Sequence, residues 1–297
     1  AVPAAGPLPE LVMRRALAPD PAGQLASQLA ALACQSLLDE ARLAPKPGLV
    51  DSRGNGAHSD LNLELMCCSA RALHPAFFAM ANAAWRQTPS TSLREQLGSL
   101  GRSGEQAMLQ ASGGVNTHRG AIWAIGLLVA AAAMDASQLQ AAAVCQRAAA
   151  LARLPDRLLP AQPRKGELAC QRYGVGGARG EAQQGFPHIT RLALPALQAS
   201  RARGDGEVNA RLNALLAIMS RLDDTCLLSR GGMPGLTLVQ AGAAKVLAAG
   251  GVATLPGRRR LYQLEKDMLA QRLSPGGAAD LLAATLLLDR LPAMAAN

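Results

Sequence analysis

Apolar residues recur at helical spacing along most of the chain. From Gly23 to Leu43, Leu25, Leu29, Leu32, Leu37 and Leu38 fall on or near one face, which predicts an amphipathic helix. A second helix is predicted from a cap at Asp60 through Leu73, with Pro75 marking a kink or a new helical start. The cluster Pro89-Ser90-Thr91-Ser92 introduces a helix over Thr91 to Ala111. The apolar run from Ala121 to Met134 stops at Asp135, short of the roughly 20 residues that cross a bilayer, and reads as a buried helix. Further helices are predicted over Ser137–Leu154, Glu207–Leu222, Leu236–Ala249 and Arg258–Leu273. A last one opens with Ser274 as N-cap and Pro275 at its first position. No segment alternates like a strand for long.

Polar, glycine-rich islands separate these helices. The first, Pro45 to Asp60, carries Lys46, Asp51, Arg53 and His58. The second, Ser112 to Gly120, ends in Asn116-Thr117-His118-Arg119, where Asn116 or Thr117 can cap the following helix and leave His118, Arg119 and free N–H groups at its positive end. The third runs from Tyr173 to Ala182 and on through Gly185-Phe186-Pro187-His188; the fourth is Asp223-Asp224-Thr225-Cys226 with Arg230-Gly231-Gly232. In a helical bundle such loops can converge at one end while the helices support them.

Composition sharpens the class. The hydrophobic fraction is 49% and the aromatic fraction 2%, an Ala- and Leu-rich balance that favours helices over strands, which recruit β-branched and aromatic residues. The expectation is an all-α, single-domain multi-helix bundle over residues 23–297, preceded by a flexible Ala- and Pro-rich segment, 1–22, without the pattern of a signal peptide. Pro155 to Lys165 is the most linker-like stretch, but no shift of composition follows it. Six cysteines form no CxxC pair and fit a reducing cytoplasm. The formal charge of +9 suits a phosphorylated ligand, a nucleic acid or an anionic membrane, or else reflects drift towards Ala, Gly and Arg. Scarce aromatic residues argue against single-stranded nucleic acid, even with Arg258-Arg259-Arg260 present.

Asp223-Asp224 is the strongest metal candidate, because adjacent carboxylates at a helix end can bracket Mg²⁺ together with a substrate's phosphates. The plain alternative is that one acid caps a helix and the other faces water. Asp51 and Glu181 suit acid/base work or stabilisation of a cationic sugar carbon; the alternative is a local ion pair with Arg53 or Arg179. Gly174-x-Gly176-Gly177 follows no strand, so a dinucleotide fingerprint is rejected.

Lys46-Pro47-Gly48-Leu49-Val50-Asp51 with Asn55-Gly56-Ala57-His58, Gly114 to Gly120, Arg179-Gly180-Glu181-Ala182 with Gly185-Phe186-Pro187, Asp223-Asp224-Thr225 with Arg230-Gly231-Gly232, and Ser274-Pro275-Gly276-Gly277 through Asp280 together resemble, in order, the triphosphoribosyl-dephospho-CoA synthases. The resemblance implies an all-α, cytoplasmic enzyme that transfers the triphosphoribosyl group of ATP to the 2′-hydroxyl of 3′-dephospho-CoA and releases adenine. It implies Asp51 and Glu181 as catalytic carboxylates and Asp223 and Asp224 as Mg²⁺ ligands. Lys46, Arg53, His118, Arg119 and Arg230 would meet phosphates, and His58, Ser274 and Asp280 would position a substrate. The product would pass to a prosthetic-group transferase and an acyl carrier protein; the Arg- and Ala-rich composition favours that of malonate decarboxylase, with citrate lyase as the alternative. Neither nucleic acid nor membrane is implied, and a homodimer is left open. Cys226 and Ser229 depart from the Asn and His expected at those positions. A metal-dependent ADP-ribose hydrolase shares helical character and Asp-Asp-Thr-like acids, but the Lys-Pro-Gly-Leu-Val-Asp island has no place in its pattern.

Overall fold

The computed structural model describes residues 20–160 and 162–294, so most of the anticipated N-terminal segment, residues 1–19, lies outside the described residues. Helices α1 (Pro21–Arg42), α2 (Leu63–Ala72), α3 (His74–Ala84), α4 (Thr91–Ala111), α5 (Arg119–Met134) and α6 (Ala141–Arg153) form the first half. The second half holds α7 (Lys165–Tyr173), α8 (Gly177–Gln183), α9 (Leu194–Ala202), α10 (Glu207–Met219), α11 (Thr225–Ala248), α12 (Leu255–Ala270) and α13 (Gly276–Met294). No strand occurs among the described residues, beyond a single bridge between Asp51 and Gly54. The chain is all-α.

Two helices are apolar on every side and form the centre. In α5 every residue from Ala124 to Met134 is buried, and in α13 every residue from Leu281 to Leu288 is. A helix without a polar face can only be stable when it is surrounded. The two pack on each other; α1 packs against both, α3 and α6 flank α5, and α10 flanks α13. None of the helices described is long and apolar enough to cross a membrane.

Local caps explain several boundaries and shift others. Ser90 accepts the Leu93 N–H and starts α4 at Thr91, as expected. Asn62, not Asp60, accepts the Leu65 N–H and caps α2. Pro75 opens α3 as a new helix. The glycine-rich third island is more helical than its composition suggests: it contains α8, and directly after His188 a π-helical turn over Ile189–Ala193 runs into α9. The fourth island is also mostly helix. α11 starts at Thr225 directly after Asp224 and is broken only at Gly232, whose φ of 59° and ψ of −160° suit glycine alone.

Candidate active site

One large cleft, about 1540 Å³, receives residues from all the polar islands. The N-terminal turns of α5, α7, α11 and α13 open onto it through Arg119, Gly166, Thr225 and Gly276. Each helix start leaves N–H groups without intrahelical partners and carries the positive end of a dipole, so the cleft is prepared for anions before any side-chain charge is counted.

His58, Arg230 and Ser274 meet there although they are far apart in sequence. His58 Nε2 lies 2.8 Å from Ser274 Oγ, and Arg230 Nη2 lies 3.2 Å from His58 Nδ1. An arginine donor at Nδ1 fixes the tautomer, with the proton on Nε2 facing Ser274. Burial, with Arg230 second, lowers the His58 pKa, so the ring is neutral at pH 7. Ser274 therefore does not act as the cap expected of it. The Ala278 N–H near the start of α13 is taken instead by Asp224 Oδ2 at 2.9 Å.

Asp224 is a tertiary cap. Its Oδ1 accepts the Cys226 N–H at 2.8 Å at the start of α11, so one buried carboxylate ties two helix N-termini together. Asp223 beside it is exposed to the cleft, where its Oδ1 accepts a long hydrogen bond from Gln240 Nε2 at 3.4 Å. Among the described residues no three His, Cys, Asp or Glu side chains are grouped to hold a metal ion. A carboxylate exposed to the cleft beside the start of α11 nevertheless fits Mg²⁺, which commonly takes one or two protein carboxylates and completes its shell with water and substrate phosphate oxygens.

Glu181 lies in the cleft wall and is held from behind. Its Oε2 lies 2.7 Å from His188 Nδ1, and its Oε1 accepts the His188 N–H at 2.9 Å. The hydrogen bond to Glu181 raises the His188 pKa against the opposing pull of burial.

Lys46 and His118 reach the cleft, but buried. The Lys46 ammonium lies 2.5 Å from Glu40 Oε1 and 2.6 Å from the Glu40 carbonyl oxygen, and its side chain is 1% exposed. Its charge is thus spent largely on Glu40, which sequence reasoning passed over as the end of a helix. His118 lies 2.7 Å from Ser69 Oγ through Nδ1, while Nε2 is buried without a partner. Burial, then the Lys46 charge, holds its pKa down at about 3, so the ring is neutral. His118 is itself the N-cap position of α5, and Asn116 Oδ1 accepts the Arg119 N–H at 3.2 Å. Arg119 lies 3.3 Å from Glu105, which also pairs with Arg164 at 2.7 Å. Asp280 reaches the same cleft, where burial and the Glu40 and Asp224 carboxylates raise its pKa well above the usual range.

Two expected site residues are not brought to the cleft. Asp51 is buried and fully engaged within its own loop, accepting the Lys46 N–H at 2.9 Å, the Arg53 N–H at 2.8 Å and two bonds from the Arg53 guanidinium. Arg53 turns away to Glu265 at 2.6 Å and faces a separate cavity of about 330 Å³. Both residues hold the loop that presents Lys46, Leu49 and Val50. A loop this irregular needs side chains to satisfy its backbone groups, and Asp51 does so. Sequence reasoning also missed Arg94, Arg102 and Trp123, because they belong to helices it read as plain scaffold.

The chain matches the model of the family described as CitG, ATP:dephospho-CoA triphosphoribosyl transferase, over residues 26–297. It is 60% identical over 275 residues to the 2-(5''-triphosphoribosyl)-3'-dephosphocoenzyme-A synthase of Klebsiella pneumoniae, covering 93% of this chain and 98% of that one. It is 61% identical over 268 residues to the probable synthase of the same name from Stutzerimonas stutzeri (strain A1501), covering 90% and 92% of the two chains. No solved structure matches it. With the match spanning every polar island of the cleft, the chain belongs to the ATP:dephospho-CoA triphosphoribosyl transferase family and is an enzyme of the transferase class.

Proposed function

We propose that the cleft transfers the triphosphoribosyl group of ATP to the 2′-hydroxyl of 3′-dephospho-CoA. The observation that carries this reading is the meeting of polar islands from separate parts of the chain on one cleft, large enough for two nucleotides and ringed by helix N-termini and cations. In the reaction the C1′–N9 bond of ATP breaks and a bond from C1′ to the acceptor oxygen forms. The acceptor hydroxyl loses a proton and the departing adenine gains one.

Glu181 is assigned to take the hydroxyl proton, since it lies in the cleft wall with its orientation fixed by the His188 ring and backbone N–H. Asp51 is assigned to loop architecture instead of chemistry, on its bonds to Lys46 and Arg53. Arg230 and Arg119 would meet phosphate oxygens, and the His58–Ser274 pair would orient a ribose or phosphate through the Nε2 proton and the hydroxyl. His118 offers its unpartnered Nε2 to substrate, and Asp280 lies near enough to the α5 start to help position it. Mg²⁺ would be held by Asp223, with Asp224 behind it, and when bound would neutralise charge on the triphosphate.

Purified protein given Mg²⁺, ATP and 3′-dephospho-CoA is expected to release adenine and form one adduct with an intact triphosphate, read by liquid chromatography with mass detection. Adenine released equally fast without the acceptor would favour a hydrolase, and ADP or pyrophosphate as product would mean attack at phosphorus. For the recipient we carry the malonate decarboxylase branch, on the Ala- and Arg-rich composition, with a cytoplasmic setting. Offering the product and a prosthetic-group transferase to the carrier proteins of malonate decarboxylase and citrate lyase tests that choice.

A further inference from the structure

The α4 wall of the cleft carries a cluster for which the transfer chemistry above has no use. Arg94, Arg102 and Arg179 all line it, and they have one carboxylate between them. Asp156 Oδ2 lies 3.0 Å from Arg102 Nη1 and 3.5 Å from Arg94 Nη1, while its Oδ1 accepts the Leu158 N–H at 3.0 Å. Arg94 is 7% exposed, and its Nε is buried without any hydrogen-bond partner. Burial, and then the nearby Arg179 and Arg102 charges against the attraction of Asp156, pull its pKa down. Two guanidiniums share one acid, with Arg94 almost wholly desolvated and the Arg179 charge close enough to act on it, a surplus of positive charge that a folded protein seldom keeps without a ligand.

Arg94 and Arg102 are held in place by Asp156. The Arg94 guanidinium lies over the Trp123 ring at 5.0 Å, and Trp123 Nε1 donates to the Ala178 carbonyl at 3.1 Å, the residue before Arg179. One turn after Arg94, Gly98 leaves room for Asp156: a Cβ there would stand 2.1 Å from Asp156 Oδ2. Arginines held in place on a concave wall lose little entropy when they bind, and their forked donors match the oxygens of a diphosphate.

We propose that Arg94, Arg102 and Arg179, backed by Trp123, bind the diphosphate of 3′-dephospho-CoA, so that the acceptor enters along α4 and the ATP triphosphate occupies the Asp223–Arg230 end. The assignment rests on the triphosphoribosyl-transfer reading. The two polyphosphates must lie apart so that C1′ of one can meet the 2′-oxygen of the other, and the Asp223 end carries the free carboxylate that suits a metal-bound triphosphate. Leu159, exposed in the loop after α6, adds apolar surface in the same cleft suited to the pantetheine arm.

Arg102→Ala and Arg179→Ala are the probes, since neither side chain is buried and the fold should survive both. Isothermal titration of wild type and variants with 3′-dephospho-CoA, and separately with Mg²⁺-ATP, measures each affinity. The acceptor is expected to bind about 10- to 100-fold more weakly to each variant, the loss of one or more charge-assisted bonds, with ATP affinity unchanged within about twofold and kcat at saturating acceptor within a few-fold. Weakened ATP with unchanged acceptor would make this wall the triphosphate site and overturn the proposal, as would unchanged affinity for both. If wild type releases no adenine and binds no 3′-dephospho-CoA, the transfer reading itself fails. Normal transfer with unaffected acceptor binding in the variants removes only the subsite.

Discussion

Asp223 and Asp224 are chemically identical neighbours with different work. Asp224 accepts backbone N–H bonds at 2.8 and 2.9 Å from two helices, while Asp223 faces the cleft almost free. Asp224→Asn swaps one acceptor oxygen for a donor and leaves an N–H at a helix start unsatisfied, at about 1–3 kcal/mol, so its melting temperature is expected to fall by several degrees. Asp223→Asn is expected to melt like wild type and to need more Mg²⁺ for turnover. Equal melting of both variants would remove the cap assignment, and unchanged Mg²⁺ dependence in Asp223→Asn would remove the metal one. Glu181→Gln is expected to lower kcat by about 100-fold or more while the ATP affinity stays, because a general base acts only as the transition state forms.

Two histidines give this protein opposite pH dependences. His188 has a raised pKa in the fold, so the stability from its bond to Glu181 is full below the unfolded value near 6.5 and is lost as pH rises through the folded value. His118 is held at about 3 in the fold, so the unfolded chain binds more protons between pH 6.5 and 3 and stability falls as the solution is acidified through that window. At pH 5 the His118 cost is about 2 kcal/mol. Comparing denaturant midpoints of wild type and His118→Asn from pH 7 to pH 4 should show a shallower acid decline in the variant, and parallel curves would contradict the assignment.

At the scale of elements, α11 matters most to the site. Its break at Gly232 follows Arg230, and together with Asp224 at the start it sets where that guanidinium stands beside His58. Gly232→Ala forces a side chain into a backbone region that is nearly glycine-only, at a cost of about 1–3 kcal/mol. The expected result is a lower melting temperature, by about 2–4 °C for each kcal/mol, with weakened ATP binding as Arg230 shifts. A variant that melts and binds like wild type would show that the kink is incidental. The buried Lys46–Glu40 pair fastens the end of α1 to the next loop in the same way. Breaking one half of it strands a charge in the core, whereas an exposed pair such as Arg157–Glu95 contributes little.

Across the whole molecule, the net charge of +9 is not concentrated at the cleft, whose lining matches its basic side chains with carboxylates; attraction for phosphates there falls to individual guanidiniums and helix N-termini, and affinity for both nucleotides should fall as ionic strength rises from 50 to 500 mM, a change checked by titration in added NaCl. The sequence by itself determined the all-α class, because Ala- and Leu-rich periodicity and scarce β-branched and aromatic residues are local facts that a helix obeys locally. It also made the start of α4 and the apolar run of α5 legible, and its motifs carried the family. It left open whether Asp51, Ser274 and Asp224 serve chemistry or architecture, since a carboxylate or hydroxyl has the same composition in either role. Only the tertiary structure decided that Asp51 is spent on its own loop, that Ser274 answers to His58, and that Asp224 caps a helix 54 residues away. Partners that distant are chosen by how helices pack, and packing is settled by the shapes of α5 and α13 and their neighbours together, which no local window of sequence contains.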